Sequence, residues 1–350
     1  MIKTIGVCGY SGTGSSAVSD LLKEYSQNQV IDSCEFILPY EPDGLMDLFY
    51  HLNEGSCKFS SSNTAISRFR GAIRGGQFRY IRELTGGKLI GLSEEFLSKV
   101  IQCEWIGSDP ADLCNQPIRD LAQRAVRKFH LGKLFYRLEK QAGHDLNIYP
   151  MGKMFFSSHP SNFCEAARDF VFGVLDAIEP IDPSKNIVLD QPFPGNNPMA
   201  CFHFFENPRA IVVDRDPRDL YLLTKEFWFE SQAWRPLPTN SVDQFITYYR
   251  ALREPRPEYE EDAVLRIKFE DLVYKYDQTR KRIEAFLELG ENTEIGRYFN
   301  PNASINNTQL FSLYSDYQED VRKIEEALPE YLFPFQEFGE VAFDRDAMFE

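Results

Sequence analysis

The sequence is poor in positive charge. Its 38 lysines and arginines stand against 53 aspartates and glutamates, giving a formal net charge of −15 and a pI near 4.9. Nucleic-acid affinity comes largely from neutralising phosphates with Lys and Arg, so no nucleic-acid partner is expected. Long apolar runs are missing too. Nothing approaches the ~18 residues that span a bilayer, and no membrane insertion is expected. No basic stretch followed by an apolar core opens the chain, because strand-like sequence begins near Lys3. A cytoplasmic location follows as the expectation, with the N-x-S/T sites at Asn302 and Asn306 idle. The seven cysteines are odd in number and include no C-x-x-C pair, which leaves a zinc site or redox dithiol without support and points to reduced thiols. No metal site is expected. Among the five histidines, His159 and His203 lie in irregular stretches, where a structural role is the commoner one.

What is present begins at the start of the chain. The run TIGVC is short and apolar, GYSGTGSS follows, and then SSAVSDLLKEY places Ala17, Val18, Leu21 and Leu22 at helical spacing. Strand, glycine-rich loop and helix in this order open a βαβ unit. Gly9, Gly14, Ser15 and Ser16 occupy the places of G-x-x-x-x-G-K-[ST], except that Ser15 stands where the lysine belongs. A glycine turn at a helix start offers backbone N–H groups and the positive end of the helix dipole to an anion even without that lysine. Ser11, Gly12, Thr13, Gly14, Ser15 and Ser16 are the candidate phosphate-binding residues. A hydrogen bond to a charged group is worth about 1.5–3 kcal/mol, so losing the lysine costs about ten- to a hundredfold in affinity or rate. A small-molecule kinase is correspondingly disfavoured, since its lysine cradles the transferred group.

A second strand is expected at Gln29 to Ile31. From Phe96 to Ile178 the pattern is helical, and residues 96–180 are expected to form a helical insert in one 350-residue domain. Buried parallel strands are expected in NIVLDQP and RAIVVDRDP, apolar runs that each end in charge and a proline, and AVLRIKFEDL reads as a further strand and turn. An amphipathic helix follows in QTRKRIEAFLEL, and another in EDVRKIEEALPEYL stops at a proline. The economical fold class is α/β, a P-loop doubly wound parallel sheet flanked by helices.

The glycine loop, the strand end R-D-P-R-D and the segment F-E-D-L-V…FLEL, in this order, resemble sulfotransferases that use phosphoadenosine phosphosulfate (PAPS), in particular bacterial members acting on cell-surface saccharides. The resemblance covers about Lys3 to Leu22 and Ile187 to Leu289. It implies PAPS as donor, PAP as product, a hydroxyl of a carbohydrate or small molecule as acceptor, and a place in polysaccharide biosynthesis. It assigns the 3′-phosphate to Arg215, whose planar guanidinium suits bidentate phosphate binding. The family's serine eight residues further on is Leu223 here, with Thr224 one step beyond. The loop cation is replaced by Gly12. No K-G-x-x-G closes the site, and Ser304, Asn306 and Asn307 stand in that region. Sulfuryl transfer needs a base; the resemblance places it at Glu35, and Asp190, ending the next core strand in VLDQP at the same sheet edge, is the second candidate. The missing cations leave open a nucleotide-binding protein without catalysis. Replacement charge is sought in two basic runs, Lys58 to Arg82 and Arg124 to Arg137.

Overall fold

The computed structural model describes residues 3–56, 58–107, 152–227, 237–254, 262–290 and 292–339. The chain divides into two compact units, Met1–Ile37 with Ile181–Glu350, and Leu38–Pro180.

The first unit is built on β1 (Thr4–Cys8), β2 (Asn28–Glu35), β5 (Asn186–Asp190), β6 (Pro208–Asp214) and β7 (Val264–Lys268). They form one parallel sheet in the order β2-β5-β1-β6-β7. The expected fold class is the one observed. All five residues of β1 are buried, as befits a central strand covered on both faces. Ile5 and Val7 join Val188, Ile211, Val213 and Ile267 under helix α1 (Ser15–Lys23), which contributes Val18, Leu21 and Leu22. Each of these fully buried side chains adds about 1.5–3 kcal/mol of transfer free energy. Two further helices, over Phe269–Tyr274 and Tyr276–Leu287, close the same face with Leu272, Ile283 and Leu287. On the opposite face of β1, Gly6 leaves no room for a side chain, because the Phe193 ring lies 2.3 Å from where a Cβ would sit. The order reverses at β1: the chain first builds toward β2 and β5, then toward β6 and β7. Such a switch point opens a crevice at the strands' carboxyl ends, and the glycine loop leaves β1 there.

β2 runs to Glu35, four residues beyond its expected end, with an irregularity between Ile31 and Glu35. It is an edge strand, so Asp32 and Ser33 reach solvent without cost to the core.

In the second unit, helices Phe59–Arg74, Lys88–Val100 and Phe163–Ile178 pack through Phe69, Phe96 and Phe170. The helical pattern expected from Phe96 onward is interrupted: β3 (Cys103–Gly107) pairs antiparallel with β4 (Gly152–Phe156). Each run is too short to show a period, and only their pairing defines them. This unit begins at Leu38, well before residue 96. Residues 108–151, with the second basic run, lie outside the described residues. In the first run Arg68 pairs with Asp43, Arg70 and Arg74 share Glu94, Arg79 pairs with Glu83, and Arg82 donates to the carbonyls of Ile73 and Gly75. These arginines serve their own unit.

No helix among the described residues is long and apolar enough to cross a membrane, and they hold no cluster of three His, Cys, Asp or Glu suited to a metal ion. The five described cysteines are free thiols.

Candidate functional site

The loop after β1 takes a shape that only its sequence permits. Ser11, Gly12 and Gly14 all have positive φ, at 61°, 71° and 88°. At Gly14 a Cβ would also lie 2.6 Å from the Phe269 ring, so both conformation and space demand glycine. The Thr13 hydroxyl is buried and accepts from the Tyr10 N–H at 3.0 Å, bracing the turn from within. Gly14 caps α1 without any side-chain hydrogen bond. Among the described residues no acceptor takes the N–H of Gly12, Gly14, Ser15 or Ser16. Open donors on a left-handed turn at a helix start make an anion-binding concavity.

Beside the loop lies a cavity of about 300 Å³ lined by Gly12, Gly14, Ser16, Arg215, Leu223, Phe269, Tyr298, Ser304 and Asn307 among others. Arg215 enters it from the end of β6 and is 3% exposed. Its Nη1 donates to the Gly12 carbonyl at 3.1 Å, its Nη2 donates to the Asn307 carbonyl, and its Nε has no partner. The guanidinium lies 5.2 Å from the Phe269 ring centre. Thus Arg215 ties the glycine loop to the 304–307 turn, and it makes no ion pair with a carboxylate among the described residues. Burial opposes its charge, while Asp219, Glu270 and Asp216 nearby support it. Burial together with neighbouring carboxylates pushes Asp219 up to about 7 and Glu270 up to about 8.

The other arginine of R-D-P-R-D is occupied. Arg218 holds Asp216 through two bonds of 2.9 and 2.7 Å, Glu325 at 2.8 Å and the Phe333 carbonyl at 3.1 Å. Asp214 is gripped by Arg253, whose guanidinium stacks on Tyr10 and Tyr249. A larger cavity of about 550 Å³ borders β7, but its Lys268 is bound to the carbonyls of Tyr331 and Leu332 and its Arg266 to Tyr10, Gly195 and Asn196.

The residues named from sequence therefore fall into groups. Gly12, Gly14, Ser16, Arg215, Ser304 and Asn307 share one cavity. The Ser16 and Ser304 hydroxyls have no protein partner among the described residues. Thr224 does not line it: its hydroxyl donates to the Leu220 carbonyl at 2.9 Å, and Leu223 occupies the wall instead. Ser11 is exposed on the turn, and Ser15 faces Gln191. Glu35 and Asp190 end neighbouring strands, opposite each other in register. Burial, reinforced by Glu35, Asp32 and Asp20, pushes the Asp190 carboxyl up to about 7. Its Oδ1 is buried without a hydrogen bond.

Sequence reasoning missed four contributors. Phe269 and Tyr298 give the cavity aromatic walls; Phe269 was visible only as the first letter of F-E-D-L. Asp20 adds a carboxylate to the rim, held by Lys23 at 2.8 Å. Gln191 had no signal beyond its place after a strand.

No protein-family model matches the sequence, and no curated protein does. Among solved structures, the chain is similar to a sulfotransferase domain from the curacin biosynthetic pathway, at 13% identity over 95% of this chain and 99% of that one, TM-score 0.41. It is also similar to a sulfotransferase domain from the Synechococcus PCC 7002 olefin synthase, at 14% identity over 95% of each chain, TM-score 0.39. Overlaps this shallow say nothing about what the cavity binds.

Proposed function

We propose that the protein is a PAPS-dependent sulfotransferase acting on a hydroxyl of a carbohydrate or small-molecule acceptor. The observation that carries the reading is the pairing, in one cavity, of an open N–H loop with a buried arginine whose Nε is unpartnered. A donor with phosphate at both its 5′ and 3′ positions needs two such anion centres. The aromatic walls Phe269 and Tyr298 suit a nucleotide base. Bound there, PAPS would supply the sulfuryl group.

On this reading the N–H groups of Gly12 to Ser16 hold the 5′ end. Arg215, with the hydroxyl of Ser304 and the turn at Asn307, holds the 3′-phosphate. The acceptor oxygen forms the new bond to sulfur as the bond from sulfur to the leaving phosphate breaks. The acceptor proton passes to a carboxylate. A base serves best with a pKa near the working pH, and that favours Asp190, whose carboxyl is held up at about 7 by burial and the neighbouring Glu35 charge.

A nucleotide-binding protein without transfer is the second reading. It is favoured by one observation: among the described residues Arg215 is the only cationic side chain lining the cavity, with Asp20 at the rim. Thermal unfolding with PAP, ATP and GTP tests nucleotide choice, and release of PAP from PAPS with hydroxyl acceptors tests transfer. PAP alone should stabilise, by about 2.7 kcal/mol at a hundred times its Kd. Equal shifts with ATP and PAP would overturn the sulfotransferase reading; a PAP-specific shift without turnover would leave the binding protein.

A further inference from the structure

The Gln191 amide lies between two parts of the glycine loop. Gly9 donates its N–H to Gln191 Oε1 at 3.1 Å. An N–H can only be received by the amide oxygen, so the amide nitrogen is fixed on the other side, where Nε2 donates to Ser15 Oγ at 2.9 Å. Ser15 Oγ is thereby the acceptor, and its own proton is left to give away. No protein group among the described residues takes it. The Gln191 backbone is held at φ 50°, a conformation rare outside glycine, and its N–H bonds the Val7 carbonyl at 2.8 Å. Gly9, too, is held closely, for a Cβ there would lie 2.4 Å from Thr13 Oγ1. The amide is set on rigid strand ends.

Ser15 is the residue that stands in place of the loop lysine. We infer that Gln191 is a positioning residue that turns the Ser15 proton out toward an anionic oxygen at the mouth of the loop, so that serine and amide together take over part of the missing lysine's task. The inference rests on the reading of the loop as a phosphate site. That reading has its own support in the cavity beside the loop and in the buried, unpartnered Nε of Arg215. Asp190 immediately precedes Gln191 in the chain, so the residue that orients the proton and the candidate base are neighbours at the end of β5. The donor end of the reaction and the acceptor end would meet there.

The two ends of the amide make this testable. Gln191→Glu keeps the length and can still accept from Gly9, but its second oxygen must accept where the amide donated. The Ser15 proton is then drawn inward. Affinities for PAP, adenosine 3′-phosphate and inorganic pyrophosphate are measured by calorimetry on wild type, Gln191→Glu, Ser15→Ala and the double variant. Expected are a loss of about tenfold or more for PAP and pyrophosphate in Gln191→Glu, about three- to tenfold in Ser15→Ala, and a double variant weaker than wild type by clearly less than the product of the two. Adenosine 3′-phosphate, which has no 5′ group, should bind all four alike. The same Gln191→Glu penalty with and without the serine hydroxyl overturns the inference, because Gln191 would then act only by bracing Gly9 or by charge. If Gln191→Glu fails to fold, Ser15→Ala with the same three ligands decides, and unchanged PAP and pyrophosphate affinity sinks the idea. Pyrophosphate bound in a Gln191-dependent way, with PAP no tighter than ATP, would keep the inference and remove the sulfotransferase reading. Binding of none of the ligands by wild type would remove both.

Discussion

Asp190 ends β5 opposite Glu35, the last residue of β2, and the Asp190 carbonyl accepts the Phe36 N–H at 2.8 Å. The irregularity after Ile31 is what brings Glu35 into that register. Two carboxylates are thus locked at one strand end, one half-buried and one exposed. The buried one is harder to ionise for two reasons, lost hydration and its neighbour's charge.

The first consequence is a pH-dependent strain on the fold. Because the folded pKa of Asp190 is raised to about 7, the folded state keeps a proton that the unfolded chain has released above its ordinary value. Its contribution is favourable at low pH and is lost as pH rises through about 7. Asp190→Asn should match wild type in Tm near pH 4 and exceed it at pH 8, by at least the ~2–4 °C that 1 kcal/mol produces. Thermal unfolding across that range measures the gap, and a gap independent of pH would count against the raised pKa.

Kinetics separate the two carboxylates. Asp190→Asn should leave PAP affinity in place and lower turnover about 10²–10⁴-fold, the scale of a lost general base. Glu35→Gln should cost less and move the acid limb of the kcat/KM profile to lower pH, since removing its charge lets Asp190 ionise more easily. Should Glu35→Gln show the larger loss with no movement of the limb, Glu35 is the base.

The two arginines of R-D-P-R-D should behave as different kinds of residue. Arg215→Ala is expected to weaken PAP by roughly ten- to a hundredfold, with little effect on adenosine 5′-phosphosulfate, which has no 3′-phosphate. Arg218→Ala strips the partner from Asp216, which is fully buried, and should destabilise the fold by about 3–5 kcal/mol. Calorimetry with both nucleotides and chemical denaturation give the comparison. Equal losses for both nucleotides in Arg215→Ala would make it a purely structural residue.

Gly14→Ala tests whether the loop's shape is required. Alanine would have to hold φ 88° with its Cβ against Phe269, at a cost of about 1–3 kcal/mol for the backbone. A lower Tm and loss of the PAP-induced shift are expected. A variant with wild-type Tm and an intact shift would show that the turn has room to relax.

Three of the five sheet strands were legible because a central parallel strand covered on both faces is apolar, and TIGVC, NIVLD and RAIVVD read that way; the edge strand VLRIK, half polar, was legible as a short run ahead of the F-E-D-L turn. The glycine loop was legible because left-handed turns need Gly12 and Gly14. The place of Arg215 at a strand end was legible from its motif. These are local demands, and the sequence by itself settles them. The tertiary structure decided what depends on distant pairing. Strand order put β5 between β1 and β2, and so brought Asp190 beside Glu35. It turned the Gln191 amide onto Gly9 and Ser15, 182 and 176 positions away in the chain. It also laid Phe269 over Gly14 and left Thr224 facing its own helix. A side chain's partner across the sheet leaves no periodicity in its own neighbourhood, and for that reason only the assembled sheet could show how a loop without its lysine is furnished.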